Sequence, residues 1–443
     1  MASSSSKQET PFDFRLERVR ITSDKFEDGV YADIEKSVTD IEIFEHLDKP
    51  YLTGTLAFYD DQDLYNAIDF SGAEKITIHI RLPSAEEGKV EKTFVIEKVL
   101  KNIRNNDNVS VIVLHLIEQH AFESSLINVN KAYTGKPVNI IQTIIKDNLK
   151  REFSEVIPDN QSEMRVIIPN LRPIEAAMWV RDRATTPYGL PYFFFSTLAN
   201  TKLHIVSLEE ILAAEYDLGE YRYSQAATQY SASQSVEEQS YIIQWFNAKN
   251  NDEILSFIQK GVVGAQYFYY DTMLGRPNSP INFDIVEELN KLKGNSIIKQ
   301  EQSKLSYEDG YTLNGIPFNK LKSRVITNVV STNVFDDLYT YTEEPLRDKH
   351  RQKIIAEALR NFLVRNVMDV VLPGRNFLNS KYSSTIGNQI KLNFLKSDVN
   401  FKEADDLYDK KKSGKYLIYA LKHSFKRERY DVIASCVKLG DRQ

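Results

Sequence analysis

One β unit is written twice in this chain, and that repetition limits its possible folds more than any single motif does. The first copy runs Lys75-Ile-Thr-Ile-His-Ile80, then Thr93-Phe-Val-Ile-Glu-Lys-Val99, a polar turn at Arg104-Asn-Asn-Asp-Asn108, and Val109-Ser-Val-Ile-Val-Leu-His115. The second runs Ile390-Lys-Leu-Asn-Phe-Leu395, then Lys415-Tyr-Leu-Ile-Tyr-Ala-Leu421, a charged turn at Lys426-Arg-Glu-Arg429, and Tyr430-Asp-Val-Ile-Ala-Ser-Cys436. Phe94 falls on Tyr416, Ile96 on Ile418, Val99 on Leu421 and Ile103 on Phe425; with one residue fewer in the second turn, Val111 falls on Val432. Two equivalent units per chain let three chains place six of them around one axis, which joins a six-fold object to a three-fold one.

The chain has 443 residues, too many for one core, so two to four domains are expected. Strands dominate the N-terminal part. Phe14-Arg-Leu-Glu-Arg-Val-Arg-Ile21 and Val38-Thr-Asp-Ile-Glu-Ile-Phe44 alternate with period two, and Leu52–Tyr59 follows, ending at Asp60-Asp61. Short strands with turns between them predict an antiparallel barrel or sandwich, capped by a helical turn at Leu64–Ile68.

The period changes at His120. Pro137 sits at a first helical position, and Ile140, Ile141, Ile144, Ile145 and Leu149 share a helix face. A second helix is predicted from Pro173, ended by Gly189 and Pro191. Tyr192–Phe195 and Leu203–Val206 form a hairpin, and Ser207 with Glu210 reads as a capping box. The stretch from Asn290 to Phe318 shows no strong period and reads as extended surface chain. Arg347–Val364 is a basic amphipathic helix. Strand patterning returns after Pro373-Gly374.

Several function classes are excluded or weakened. A net charge of −6 without a basic stripe argues against a nucleic-acid binder. A single cysteine, Cys436, forbids an intrachain disulfide. No run of 18 apolar residues is present, so no membrane span is expected, and the polar residues 1–11 read as disordered. There is no phosphate-binding glycine loop, nucleophile elbow or paired-histidine zinc helix, and the seven histidines are scattered. Tyr133-Thr-Gly-Lys-Pro137 reads as helix entry. Asp60-Asp61, Asp336-Asp337 and Asp405-Asp406 read as exposed turn residues rather than catalytic carboxylates. No cofactor, no metal and no enzymatic activity are expected.

Three stretches resemble the baseplate hub proteins of contractile-tailed bacteriophages, a family related to the hub part of type VI secretion spike proteins. They are Tyr51-Leu-Thr-Gly-Thr-Leu-Ala-Phe-Tyr-Asp60, Arg172-Pro-Ile-Glu-Ala-Ala-Met-Trp-Val-Arg-Asp182 through Tyr192-Phe-Phe-Phe195, and Thr385-Ile-Gly-Asn388 with the strands from Ile390 and Lys415. The resemblance implies a mainly β chain with α/β insertions and two tube-like antiparallel β-barrels, forming a pseudo-six-fold ring as a homotrimer. It places the first barrel at 12–122, an α/β insertion at 123–223, the second, discontinuous barrel at 224–262 with 362–440, and an α+β domain at 263–361. Implied partners are a hexameric tail tube or tube initiator, a trimeric spike, tape-measure and wedge proteins, and DNA in transit. The implied location is the virion tail, assembled in host cytoplasm. The equivalent hub of a bacterial injection machine fits the same residues. A carbohydrate-active β enzyme would need an Asp/Glu pair facing a cleft. A sugar-binding module would need exposed rings such as Tyr267, Tyr269 and Tyr270.

The equivalent turns are predicted to lie at one rim, and they, or the loops opposite, to touch a neighbouring ring. The candidate residues are Arg104, Asn105 and Asn106 in the first copy, and Arg427, Glu428 and Arg429 in the second.

Overall fold

The computed structural model describes residues 9–441 apart from 27–29, 69, 71, 73, 83–88, 105–108, 155–162, 215–216, 224–234, 251–253, 272–275, 278–279, 300–301, 303–311, 321–324, 331–342, 379–384, 397–406 and 428. It is mainly β, and a 13-stranded sheet runs through it. Seven strands precede residue 119: β1 (Arg15–Thr22), β2 (Ala32–Asp33), β3 (Val38–His46), β4 (Thr53–Asp60), β5 (Lys75–Arg81), β6 (Lys89–Arg104) and β7 (Ser110–Glu118). Six come from further along: β8 (Asp217–Tyr223), β9 (Trp245–Asn250), β10 (Asn366–Pro373), β11 (Gln389–Phe394), β12 (Gly414–Lys426) and β13 (Arg429–Asp441). The spatial order is β9-β10-β13-β12-β3-β4-β7-β6-β5-β1-β2, with β11 paired to β12 and β8 to β11.

The repeat is visible in the ladder. The first unit is β5-β6-β7-β4-β3 and the second is β11-β12-β13-β10-β9, the same order with the same antiparallel pairings. Ile96 lies opposite Leu116 and Val99 opposite Leu114; Ile418 lies opposite Cys436 and Leu421 opposite Ala434. Both long strands carry a bulge at the same place, between Ile96 and Lys98 and between Ile418 and Ala420. Beyond Leu114 and Ala434 the match continues through Leu56 to Ile41 and through Val370 to Phe246.

Two of the sequence equivalences shift by one residue. β6 has a second bulge between Val99 and Lys101 that β12 lacks. An extra residue in one strand moves everything after it by one place on the ladder. Counted across the sheet, Ile103 therefore matches Ser424 rather than Phe425, and Val111 matches Asp431 rather than Val432.

Alternation explains the core. Ile76, Ile78 and Ile80 on β5, Ile112, Leu114 and Leu116 on β7, and Tyr430, Val432, Ala434 and Cys436 on β13 are buried at every second position. Gly54 is required by a close approach: a Cβ there would stand 2.7 Å from the Glu42 carbonyl oxygen of β3. Asp60, expected in an exposed turn, is buried instead. Its carboxylate accepts the N–H groups of Leu64 and Tyr65 at 2.8 and 2.9 Å and caps the Leu64–Ala67 turn.

Between β7 and β8 a separate hydrophobic cluster forms, running from Ala121 to Ile205. Its helices are α1 (Pro137–Leu149) and α2 (Pro173–Arg181), and the strands Tyr192–Phe195 and His204–Ser207 pair antiparallel across it. Ser207 and Glu210 form the capping box. Helix α2 stops at Arg181, well before Gly189, because Asp182, Arg183 and Ala184 close into tight turns instead. Further on, the stretch expected to be extended from Asn290 begins inside helix α3 (Ile285–Gly294), with Leu289 and Leu292 buried. Asp284 caps it by accepting the Val286 and Glu287 N–H groups. Helix α4 (Glu343–Leu363) matches the basic amphipathic pattern and buries Ile354, Ile355, Ala358, Leu359 and Phe362.

Leu114→Ala should lower stability by about 2–5 kcal/mol, because it opens a cavity where β6, β7 and β4 meet. Leu126→Ala, at a position left mostly in water, should cost no more than about 0.5 kcal/mol. Urea unfolding midpoints of the two variants against the parent check this.

Candidate assembly surface

Two buried polar clusters are the first places to look for chemistry. On β3, Ile41, Ile43 and Glu45 are in phase, so Glu45 points into the core where β3 meets β12. His423 Nε2 lies 3.1 Å from Glu45 Oε1, and Tyr430 Oη lies 2.7 Å from His423 Nδ1. Burial pushes the Tyr430 phenol well above its ordinary pKa, so it donates to Nδ1 and the imidazole donates to the carboxylate. The Leu198 N–H also donates to Glu45 Oε1, at 2.5 Å. The order Tyr-His-Glu resembles a catalytic relay, but all three side chains are closed off from water. Without an accessible end, a relay has no substrate to act on.

Glu118 holds the second cluster. It follows Ile112, Leu114 and Leu116 in phase and is likewise buried. Its carboxylate accepts the Leu52 N–H at 2.9 Å, the Ser196 hydroxyl at 3.0 Å and Arg151 at 3.2 Å, with Lys92 at 3.5 Å. Burial alone would raise its pKa, but Lys92, His120, the Leu52 N–H and Arg151 outweigh burial and lower it. Lys92 also donates to the Asn200 carbonyl at 2.7 Å, and His120 Nε2 lies 2.7 Å from the Pro50 carbonyl. The cluster ties the first β unit to the helical segment that follows it.

No group of three or more His, Cys, Asp or Glu side chains among the described residues is placed to hold a metal. A cavity of about 180 Å³ beside Arg427, between Glu35, Thr39 and Phe425, is smaller than ordinary ligand pockets of roughly 300–1,000 Å³. Tyr267 and Tyr269 are buried, which leaves Tyr270 as the one partly exposed ring of that trio. No described helix is long and apolar enough to cross a membrane.

The two hairpin ends lie together at one end of the sheet. The pairings β12–β3, β3–β4, β4–β7 and β7–β6 are all antiparallel, so β6 and β12 run the same way and turn at the same side. Arg104 closes β6 and Arg427 sits in the second turn with φ 52°. Arg429 is engaged within its own chain: Nε and an Nη donate to Asp431 at 2.6 and 2.9 Å, and its guanidinium lies 4.0 Å from the centre of the Phe12 ring. Asn105, Asn106 and Glu428 lie outside the described residues, as do the acidic pairs at 336–337 and 405–406.

Which strands leave an open sheet edge was not read from the sequence. β5 covers β6 only as far as Val95; from Val99 to Ile103 no described strand pairs on that side, and Leu100 and Ile103 are 43% and 54% exposed. Among the described strands β9 pairs with β10 alone, and Trp245 on it is 53% exposed. The only sequence signal was apolar residues continuing past the point where a core would end.

The sequence matches no protein-family profile and no curated protein. The fold, however, is found elsewhere: the chain has the fold of a tail protein. A solved tail protein from Neisseria meningitidis matches 96% of this chain and 97% of its own, with a TM-score of 0.52 at 9% identity. Weaker matches are a 43 kDa tail protein of prophage MuSo2 from Shewanella oneidensis (TM-score 0.48, 9% identity, 96% of this chain and all of that one) and an Escherichia coli type VI secretion component (0.42, 10%, 96% and 79%). That secretion component is itself structurally similar to the T4 bacteriophage tail proteins gp27 and gp5.

Acid should weaken this junction. Burial lowers His46 and His204 to about 4, and His46 Nδ1 accepts the Asp48 N–H, which requires an unprotonated nitrogen. With folded pKa values below the unfolded value of about 6.5, the unfolded chain binds more protons between these limits. Stability is therefore full above pH 6.5 and falls as pH drops toward 4. The slope is up to about 1.4 kcal/mol per pH unit for His204. Glu118 gives up its share lower still, as pH falls through its depressed pKa. His204→Phe should shrink the difference between urea midpoints measured at pH 7 and pH 5; an unchanged difference would remove His204 from the account.

Proposed function

We propose that this chain is the hub subunit of a contractile phage tail: a homotrimer whose six β units form a pseudo-six-fold ring around a channel. Such a ring accepts a hexameric tail tube or tube initiator on one face and a trimeric spike on the other, with tape-measure and wedge proteins nearby and DNA in transit. The role is structural, not enzymatic, and the place of action is the tail baseplate. The barrels would occupy 12–122 and 224–262 with 362–440, flanking an α/β insertion at 123–223 and an α+β domain at 263–361. The observation that carries this reading is the equivalence of the two β units inside one sheet, strand for strand and with one bulge at the same place in both long strands. The Neisseria tail-protein fold over nearly the whole chain supports it.

Light scattering across a concentration series tests the ring. Three chains of 51.1 kDa should give a species near 153 kDa. A chain that stays monomeric alone and with a trimeric spike would overturn the reading. At the rim, Arg427→Glu should weaken tube docking measured by co-sedimentation, since Arg427, unlike Arg429, is not engaged with Asp431. Unchanged docking would remove this turn from the tube interface.

A further inference from the structure

We infer that β9 of one chain adds to the open side of β6 on a second copy, antiparallel, with Asn247 opposite Ile103. This rests on the ring reading and specifies how its subunits join. The template lies within the chain. The second unit's long strand, β12, is covered along Ala420–Lys426 by β3 of the first unit. By the ladder equivalence β6 corresponds to β12 and β9 to β3. One chain thus uses half of the repeated junction internally and leaves the other half as two complementary edges. In β12 the covered stretch buries Leu421, His423, Ser424 and Phe425, whereas Leu100 and Ile103 stand in water.

The register follows from counting. Ser424 pairs with Glu42 at the internal junction. Ile103 takes the place of Ser424, through Val111 and Asp431. Asn247 takes the place of Glu42, through Thr55 and Asp369, which oppose His115 and Ser435. Ile103 and Asn247 therefore face each other, and Trp245, two residues along the same face, falls on the diagonal within reach of an aromatic ring.

Internally, Lys422 pairs with Glu42 at 2.6 Å and Lys426 with Asp40 at 3.3 Å. On β9 those acidic places are taken by Asn247 and Trp245, and on β6 Ile103 stands where Ser424 did. The internal joint is fastened by charge; the open edges keep a lysine, Lys101, in the place of Lys422, but β9 has no carboxylate in the places of Glu42 and Asp40, and Ile103 and Trp245 add apolar surface. Each chain carries one edge of each kind, so the contact is head-to-tail and ends only when a ring closes.

The test is a cysteine pair. Ile103→Cys with Asn247→Cys in the full chain, oxidised with diamide at its highest soluble concentration, should give disulfide-linked multimers on a non-reducing gel. Reductant should remove them, and either single variant should lack them. Cys436 is buried and does not compete. Ile103→Asp, at an exposed position that leaves the fold intact, should raise the dissociation constant for self-association at least about ten-fold. Multimers seen by light scattering without cross-linking would overturn this pairing and leave the ring standing. A chain that stays monomeric at every concentration, alone and with a trimeric spike, and gives no cross-link would overturn both.

Discussion

The pairing of β3 with β12 is the joint on which the rest of the molecule depends. It welds segments that are remote in sequence, Asp40–His46 and Ala420–Lys426, into one continuous sheet. It holds Glu45, which loses water on burial and leaves Oε2 without a partner among the described residues. Leaving one carboxylate oxygen unsatisfied is costly, and only the hydrogen bonds from His423 and Leu198 to the other oxygen offset it. An apolar residue would be cheaper there, but it would accept register slips. A carboxylate that must meet one imidazole fixes the register. Because these contacts span almost the whole chain, the joint should form after local hairpins such as β12–β13, and contact order predicts slow folding.

The repeated bulge shows how one backbone serves two neighbours. Between Ile96 and Lys98, and between Ile418 and Ala420, the extra residue bends each long strand away from its inner partner. Beyond the bend β12 passes to β3, while β6 leaves β5 and carries an open edge. The second bulge, in β6 alone, turns Ile103 off the core face that Phe425 occupies in β12. A single inserted residue thus separates a filled core position from an exposed apolar one.

Much of this was legible because a strand's period of two survives every tertiary contact. Phe94, Ile96 and Val99 could be set on Tyr416, Ile418 and Leu421 from sequence. The match failed by one residue past Val99, since this bulge is backbone geometry that no glycine or proline marks at Val99, Leu100 or Lys101. Glu45 and Glu118 were in plain view as carboxylates in phase with Ile41 and Ile43, and with Leu114 and Leu116. Partners such as His423 and Arg151 come from distant segments, so the buried networks themselves were not readable. Helix α3 was missed although Asp284 and the apolar spacing of Ile285, Leu289 and Leu292 announce it. The end of α2 was misplaced because Asp182–Ala184 turns without glycine.

The two units are alike in their inner five strands and differ in what is added to them. β5 is flanked by β1, antiparallel, whereas its counterpart β11 is flanked by β8, parallel. The helical segment that follows β7 is anchored to the first unit by Glu118, whose counterpart on β13 is Lys438. Lys438 instead donates to the carbonyls of Lys410 and Lys411, and so holds a loop of its own unit. A carboxylate that gathers two donors from its own unit, Leu52 and Lys92, and two from the neighbouring segment, Arg151 and Ser196, has become an ammonium that gathers two carbonyls. The equivalent strand ends therefore carry opposite charge, and only one can dock the insertion. In the proposed ring that single exchange divides six like units into three pairs: the inner strands keep the six-fold repeat, and the anchored segments around them mark the three-fold one.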